Sequence, residues 1–163
     1  MTPRFCGSDR KTLDDKNRLM IPAKFKDELL RESGGANRIV VSMWMDPCLA
    51  IHTTREWNVL CQDLLRVRNG DREFRRFKGA LISKAEELEL DKQGRILLPP
   101  HLREYAGIKR DVTIAGEIER LLIWDSERYA EWYDLDDDKL SELNDRYLSA
   151  QETSPAGGMA PPA

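Results

Sequence analysis

The sequence predicts an α+β fold made of two copies of one β-β-α-β-β-α unit. Two observations point to it. First, "LDDKNRLMIP" (Leu13–Pro22) and "LDKQGRILLP" (Leu90–Pro99) share one pattern 77 residues apart: Leu-Asp, two polar residues, Asn or Gly, Arg, three apolar residues, Pro. Second, "CLAIHTTREW" and "RLLIWDSERY" repeat at an offset of 72, so the same elements follow in the same order. The shorter offset fits a longer connection around "SGGANR" in the first half. Repetition on this scale dictates architecture and is weighed before local structure.

Each element has a local reason. A polar turn follows the first strand and precedes a three-residue apolar run, which is too short for a helix and reads as a buried strand. Pro22 and Pro99 suit the first turn of the next helix, where a missing N–H costs nothing. Phe25 with Leu29, and Leu102 with Ala106, lie at i and i+4 and give each helix one face to bury. Gly34 and Gly107 are the expected C-terminal stops. Strands follow at Arg38–Trp44 with Leu49–His52, and at Val112–Ala115 with Leu121–Trp124. A second helix starts at the capping box Thr53-x-x-Glu56, and at Asp125 or Ser126 in the other half.

The expected organisation is a first repeat over 1–66, a bridging helix over 67–83, a second repeat over 84–133, an acidic helix over 134–150 and a disordered tail over 151–163. The bridge places Phe74, Phe77 and Leu81 on one face and arginines on the other. The acidic helix would run Asp136–Leu148 with Leu140, Leu143 and Tyr147 on one side. "QETSPAGGMAPPA" holds small residues and three prolines without periodicity, as unstructured chain does.

Of the 163 residues, 34% are charged and the net charge is −3, so charge alone does not announce a nucleic-acid partner. The average conceals segregation. Arg10–Lys26 carries six cations against two carboxylates, and Arg66–Lys84 seven against two. Asp134–Asp145 carries six carboxylates against one cation. Three cysteines, no apolar signal core and no membrane-length apolar run predict a reduced, cytoplasmic protein without membrane association.

The repeated turn carries the functional candidates. Asn17 and Gly94 occupy equivalent positions and are residue types that tolerate positive φ. Asp14 and Asp91 can accept backbone N–H bonds within such a turn. These four are loop-structuring residues. Arg18 and Arg95 either pair with the neighbouring aspartate or face outward, where a guanidinium can fork onto guanine O6 and N7 or onto phosphate. Lys11, Lys16, Lys92 and Gln93 beside them would add phosphate or base contacts.

"TLDDKNRLMIP" and "ELDKQGRILLP", preceded by Phe5-x-Gly7 and accompanied by "LREYAGI" and "LLIWD", resemble the two DxxxR motifs of the MraZ family over roughly residues 1–133. The resemblance implies a bacterial transcriptional regulator of the division and cell wall gene cluster. It implies two AbrB-like swapped-hairpin halves closing into one pseudo-twofold β-barrel, and subunits that assemble into a ring. It implies that Asp14–Arg18 and Asp91–Arg95 bind double-stranded DNA at direct repeats, that the protein is nucleoid-associated, and that it needs no cofactor or small-molecule substrate. Asn17 stands where the family usually has Gly, Cys6 where Arg or Leu is common, and the C-terminus is longer. A ring would reconcile a negative chain with DNA binding, because basic loops gathered on one face add by effective concentration.

Other classes fit less well. Asp14 and Asp91 from two related halves could pair as in acid proteases, but neither lies in an Asp-Thr/Ser-Gly turn, and cations beside each keep it ionised. His52 and His101 lack acidic sequence neighbours that would orient a nucleophile's base. Cys48, His52 and Cys61 match no familiar metal spacing and lack a fourth ligand. An AbrB-like interaction or antitoxin-like module is the alternative function, favoured by the acidic extension and disfavoured by two fused halves.

Overall fold

The computed structural model of the chain describes residues 4–68 and 70–149. Its elements run β1 (Ser8–Thr12), β2 (Arg18–Met20), α1 (Ala23–Leu30), β3 (Arg38–Met43), β4 (Leu49–His52), α2 (Thr54–Arg66) and α3 (Arg72–Ser83). They continue with β5 (Glu86–Glu89), β6 (Arg95–Leu97), α4 (Pro100–Ala106), β7 (Asp111–Glu117), β8 (Arg120–Asp125), α5 (Ser126–Trp132) and α6 (Asp137–Asn144). The tail expected at 151–163 lies outside the described residues.

The strands are shared between the repeats. One six-stranded antiparallel sheet has the order β1-β7-β8-β4-β3-β5, and β2 and β6 form a separate two-stranded ribbon. Every pairing between repeats has a pseudo-twofold mate. β1 of the first repeat pairs with β7 of the second, as β5 pairs with β3. β2 pairs with β6 and β4 with β8, each strand with its own counterpart.

Burial patterns follow from how many faces are covered. Ile39, Val41, Leu49, Ile51, Ile114 and Ile123 alternate onto one face and join Phe25, Leu29, Leu102 and Ala106 in the main core. Ser42, Ala50, His52, Leu122 and Trp124 face the other way. That second face is covered too: Trp57 of α2 lies 5.1 Å from the His52 ring, and Tyr129 of α5 lies 6.5 Å from Trp124. With both faces covered, β4 reads as an unbroken buried run, whereas the edge strands "SDRKT" and "EELE" have no fully buried residue. Their charges suit unpaired edges. Each fully buried branched side chain contributes about 1.5–3 kcal/mol. An exposed ion pair contributes about 0–1 kcal/mol. The shared core therefore dominates stability.

Several local expectations shift by a residue or a turn. Pro22 and Pro99 are the residues before the helices, in extended geometry, and Pro100 takes the first helical position. Gly107 ends α4 in the left-handed conformation. Gly34, also at positive φ, lies beyond α1, whose cap is Arg31. Thr53 caps α2 by accepting the Glu56 N–H at 3.1 Å, but the Glu56 carboxylate turns instead to Arg4 at 2.9 Å. On α3, capped by Asp71, Leu81 is buried while Phe77 is exposed. A compact unit ends at Tyr129 and a second begins at Ala130. In the latter the acidic helix is shorter than expected and gives way to a π-helical turn at Asp145–Ser149, with Leu140 and Tyr147 exposed.

Two positions expose the packing constraints. The segment before β1 crosses β7 at Gly116, where an added Cβ would stand 2.5 Å from the Cys6 nitrogen and the Phe5 carbonyl carbon. His52 is buried beside Trp44 and Trp57, its Nε2 2.9 Å from Ser42 Oγ. Burial, reinforced by the Arg120 charge, pushes its pKa down to about 3.

Gly116→Ala is expected to lower stability by about 1–3 kcal/mol, because backbone must move. Gly79→Ala, in the open middle of α3, is expected to raise it by about 0.5–1 kcal/mol. Thermal melts of the two variants check the contrast. His52 stays neutral when folded but takes up a proton on unfolding once pH falls below about 6.5. It therefore subtracts stability as pH drops from there toward about 3, by up to about 1.4 kcal/mol per pH unit. Denaturant titrations between pH 4 and 7 should show a shallower slope for His52→Asn than for the parent protein.

Candidate nucleic-acid interface

The two Asp-x-x-x-Arg turns adopt one geometry. In the first, the Asp14 and Arg18 backbones bond at 3.1 Å and the Asn17 N–H reaches the Asp14 carbonyl at 2.9 Å. In the second, Asp91 and Arg95 bond at 2.9 Å and the Gly94 N–H reaches the Asp91 carbonyl at 3.0 Å. Asn17 and Gly94 both take positive φ, 61° and 81°. The turn needs that conformation, and these residue types supply it.

The aspartates do more than shape the turn. Asp14 Oδ1 accepts the N–H groups of Lys16 and Arg18, each at 2.9 Å, and Oδ2 accepts Arg18 Nε at 2.6 Å. Asp91 repeats this with Gln93, Arg95 and Arg95 Nε, at 2.9, 2.9 and 2.8 Å. The backbone N–H of the arginine, then its guanidinium, hold each carboxyl below the usual carboxylate range. Each aspartate thus faces an arginine that favours its ionised form, the opposite of the proton-sharing carboxyl pair of an acid protease.

Both guanidiniums are consequently oriented through Nε, with side-chain exposures of 30% for Arg18 and 24% for Arg95. An arginine held by that edge keeps its two terminal nitrogens as a forked donor. The forks are neighbours, because β2 and β6 place Arg18 opposite Leu97 and Arg95 opposite Met20. Arg95 is the more constrained. Its Nη1 lies 3.8 Å from Asp14 across the ribbon, and its Nη2 donates to Gln93 at 3.3 Å. Each turn is tied to the other repeat: Ile21 donates to the Gly94 carbonyl at 3.0 Å, and Leu98 to the Asn17 carbonyl at 3.2 Å.

The remaining candidates divide. Lys16, Lys92 and Gln93 are exposed on the turns. Lys11 belongs to β1 and sits 3.7 Å from Asp9. Sequence reasoning missed Lys26, which reaches from α1 to lie against Gly94 of the other turn. It also missed Lys109 and Arg110, which line a depression with Asp14, Asp15 and Asn17. Lys26 stood in the basic run, but only the strand exchange shows which turn it serves. Met20 and Leu97, expected within buried runs, are 37% and 58% exposed.

The other chemistries considered have less to stand on. Burial pushes the Cys48 thiol up to about 12, which disfavours a nucleophilic thiolate there. Among the described residues no group of three His, Cys, Asp or Glu side chains converges as a metal site. No helix among them is long and apolar enough to cross a membrane.

Comparison with known proteins places this geometry in a family. The family described as "MraZ protein, putative antitoxin-like" matches twice, over residues 5–78 and 81–149, one match per repeat. A "Transcriptional regulator MraZ" of Thioalkalivibrio sulfidiphilus is 36% identical over 138 residues, covering 82% of this chain and 91% of that protein. The protein of the same name from Clostridium beijerinckii is 37% identical over 144 residues, covering 86% and 97%. That of Pseudomonas fluorescens is 35% identical over 125 residues, covering 77% and 82%. With both repeats matched and relatives aligned over nearly their full lengths, the chain belongs to the MraZ family.

Proposed function

We propose that this protein is a sequence-specific DNA-binding transcriptional regulator that docks on double-stranded DNA through its two Asp-x-x-x-Arg turns. The observation that carries the reading is the pair of neighbouring guanidiniums, each oriented through Nε by its own aspartate, with the Arg18 terminal nitrogens presented as a fork and those of Arg95 shared with Asp14 and Gln93. A forked donor matches guanine O6 and N7 in the major groove. Lys16, Lys92, Lys26, Lys109 and Arg110 around the turns supply phosphate-positioning charge. The relatives' printed name supports the regulatory role.

The finer reading rests on the family resemblance. The two sheets form one pseudo-twofold swapped-hairpin barrel, supported by a single core that takes Leu19 and Ile96 from the ribbon together with Ile51 and Ile123 from the large sheet. The subunits form a ring whose turns meet direct repeats at the division and cell wall gene cluster, in the cytoplasm and on the nucleoid. The repeats span 1–66 and 84–133, with the bridge over 67–83. The antitoxin-like wording of the family description keeps one alternative, a module that neutralises a protein partner.

Three outcomes test the reading. Arg18→Ala and Arg95→Ala should each weaken binding to the promoter of the protein's own operon by about 1–3 kcal/mol in gel-shift titrations, with unchanged melting temperature. Wild-type affinity in both variants sinks the proposal. Affinity should fall steeply with salt, and a flat dependence from 50 to 200 mM would exclude phosphate-dominated docking. Asp14→Asn removes a negative charge yet should weaken binding, because Arg18 loses its orientation; its effect should not add to that of Arg18→Ala. Tighter binding by Asp14→Asn would show that the carboxylate only repels DNA.

A further inference from the structure

The outer face of the β2–β6 ribbon holds four side chains and no others: Arg18, Met20, Arg95 and Leu97. The inner face is closed by Leu19 and Ile96, which are 0% and 1% exposed. Met20 and Leu97 are absent from the buried core and project into solvent at 37% and 58%. One exposed apolar residue needs no explanation. These two stand at equivalent positions of the two repeats, and each is directly opposite the arginine of the other repeat. Packing offers no reason for that arrangement, since the ribbon's core face is already filled.

Resting on the DNA reading above, we infer that Met20 and Leu97 are specificity-determining residues that contact thymine methyl groups beside the bases met by the arginines. A two-stranded ribbon is one of the two elements the major groove admits. Within that groove the C5 methyl of thymine is the one apolar group that a base edge presents. Directly opposed cross-strand side chains lie about 5 Å apart at Cβ. Along a strand, positions i and i+2 lie about 6.6 Å apart, close to two base-pair steps. A ribbon whose arginines fork onto guanines therefore brings Met20 and Leu97 over base pairs one or two steps from those guanines. The aspartates strengthen the inference, because an arginine fixed at Nε cannot swing aside and leaves its apolar neighbour in a defined place. The cations gathered around the turns favour a polyanion as occupant over a purely apolar partner surface.

The test uses the full-length protein and duplexes enriched from a random double-stranded DNA library. The preferred duplex is then synthesised with deoxyuridine replacing thymine one position at a time, which removes only the methyl group. Wild-type protein should lose about three- to tenfold in affinity at one or two thymines flanking the positions whose preference Arg18→Ala or Arg95→Ala abolishes. Met20→Ser and Leu97→Ser should each be indifferent to replacement at one of those thymines, and the double variant to all of them, while keeping guanine preference and wild-type oligomer size. Equal wild-type affinity for thymine and deoxyuridine duplexes would overturn the inference, as would a double serine variant that still discriminates. A changed oligomer size in the serine variants would assign the apolar pair to subunit contact and overturn it too. If the library yields no preferred sequence, or both arginine variants select as the wild type does, the DNA reading itself fails. Arginine dependence without a methyl effect removes the methyl contacts alone.

Discussion

The structure depends on strand exchange between its two repeats. Each Asp-x-x-x-Arg turn closes on itself through its aspartate, but its carbonyl at the positive-φ position is taken by the strand end of the other repeat, Gly94 by Ile21 and Asn17 by Leu98. The ribbon, the core beneath it and the juxtaposition of the two arginines exist only because β2 pairs with β6. Loss of that pairing would leave Leu19 and Ile96 uncovered and separate the guanidiniums together. Folding and site assembly are therefore one event, and the cooperative stability of the core is also the rigidity of the interface.

The sequence carried the elements well and their partners poorly. Short apolar runs bounded by turn residues located six of the eight strands, the polar edge strands β1 and β5 carrying no such run, and the Thr53 cap was readable from its spacing. Which strand pairs with which is not a local property, so the order β1-β7-β8-β4-β3-β5 had no signature in periodicity. Helix ends moved for local reasons, as when Pro100 instead of Pro99 took the first helical position. The turn itself was legible, because a demand for positive φ filters residue types and so made Asn17 and Gly94 recognisable as equivalents.

The rest of the site was hidden by rotamer and by distance. Whether Arg18 faces its aspartate or leaves it depends on side-chain torsions that no spacing fixes. The structure resolves it as an ion pair that orients the guanidinium. Lys26 serves a turn 68 positions away in sequence at Gly94, which only the exchanged topology reveals. A run of three apolar residues suggests burial, yet on a strand its middle member must turn outward, which exposes Met20 and Leu97.

The repeats are equivalent in backbone and unequal in detail. Asn17 stands against Gly94, and Lys16 against Gln93; Gln93 adds a bond to Arg95 that Arg18 lacks. Lys109 and Arg110 flank the first turn, and the corresponding approach to the second is made by Asn37, whose carbonyl accepts the Leu90 N–H. Identical subunits around a true dyad must present identical surfaces, so what they read is constrained to a palindrome. Joining the halves in one chain lifts that constraint. Each ribbon then has a front and a back, and a surface with that polarity can dictate the direction in which the molecule lies along a duplex.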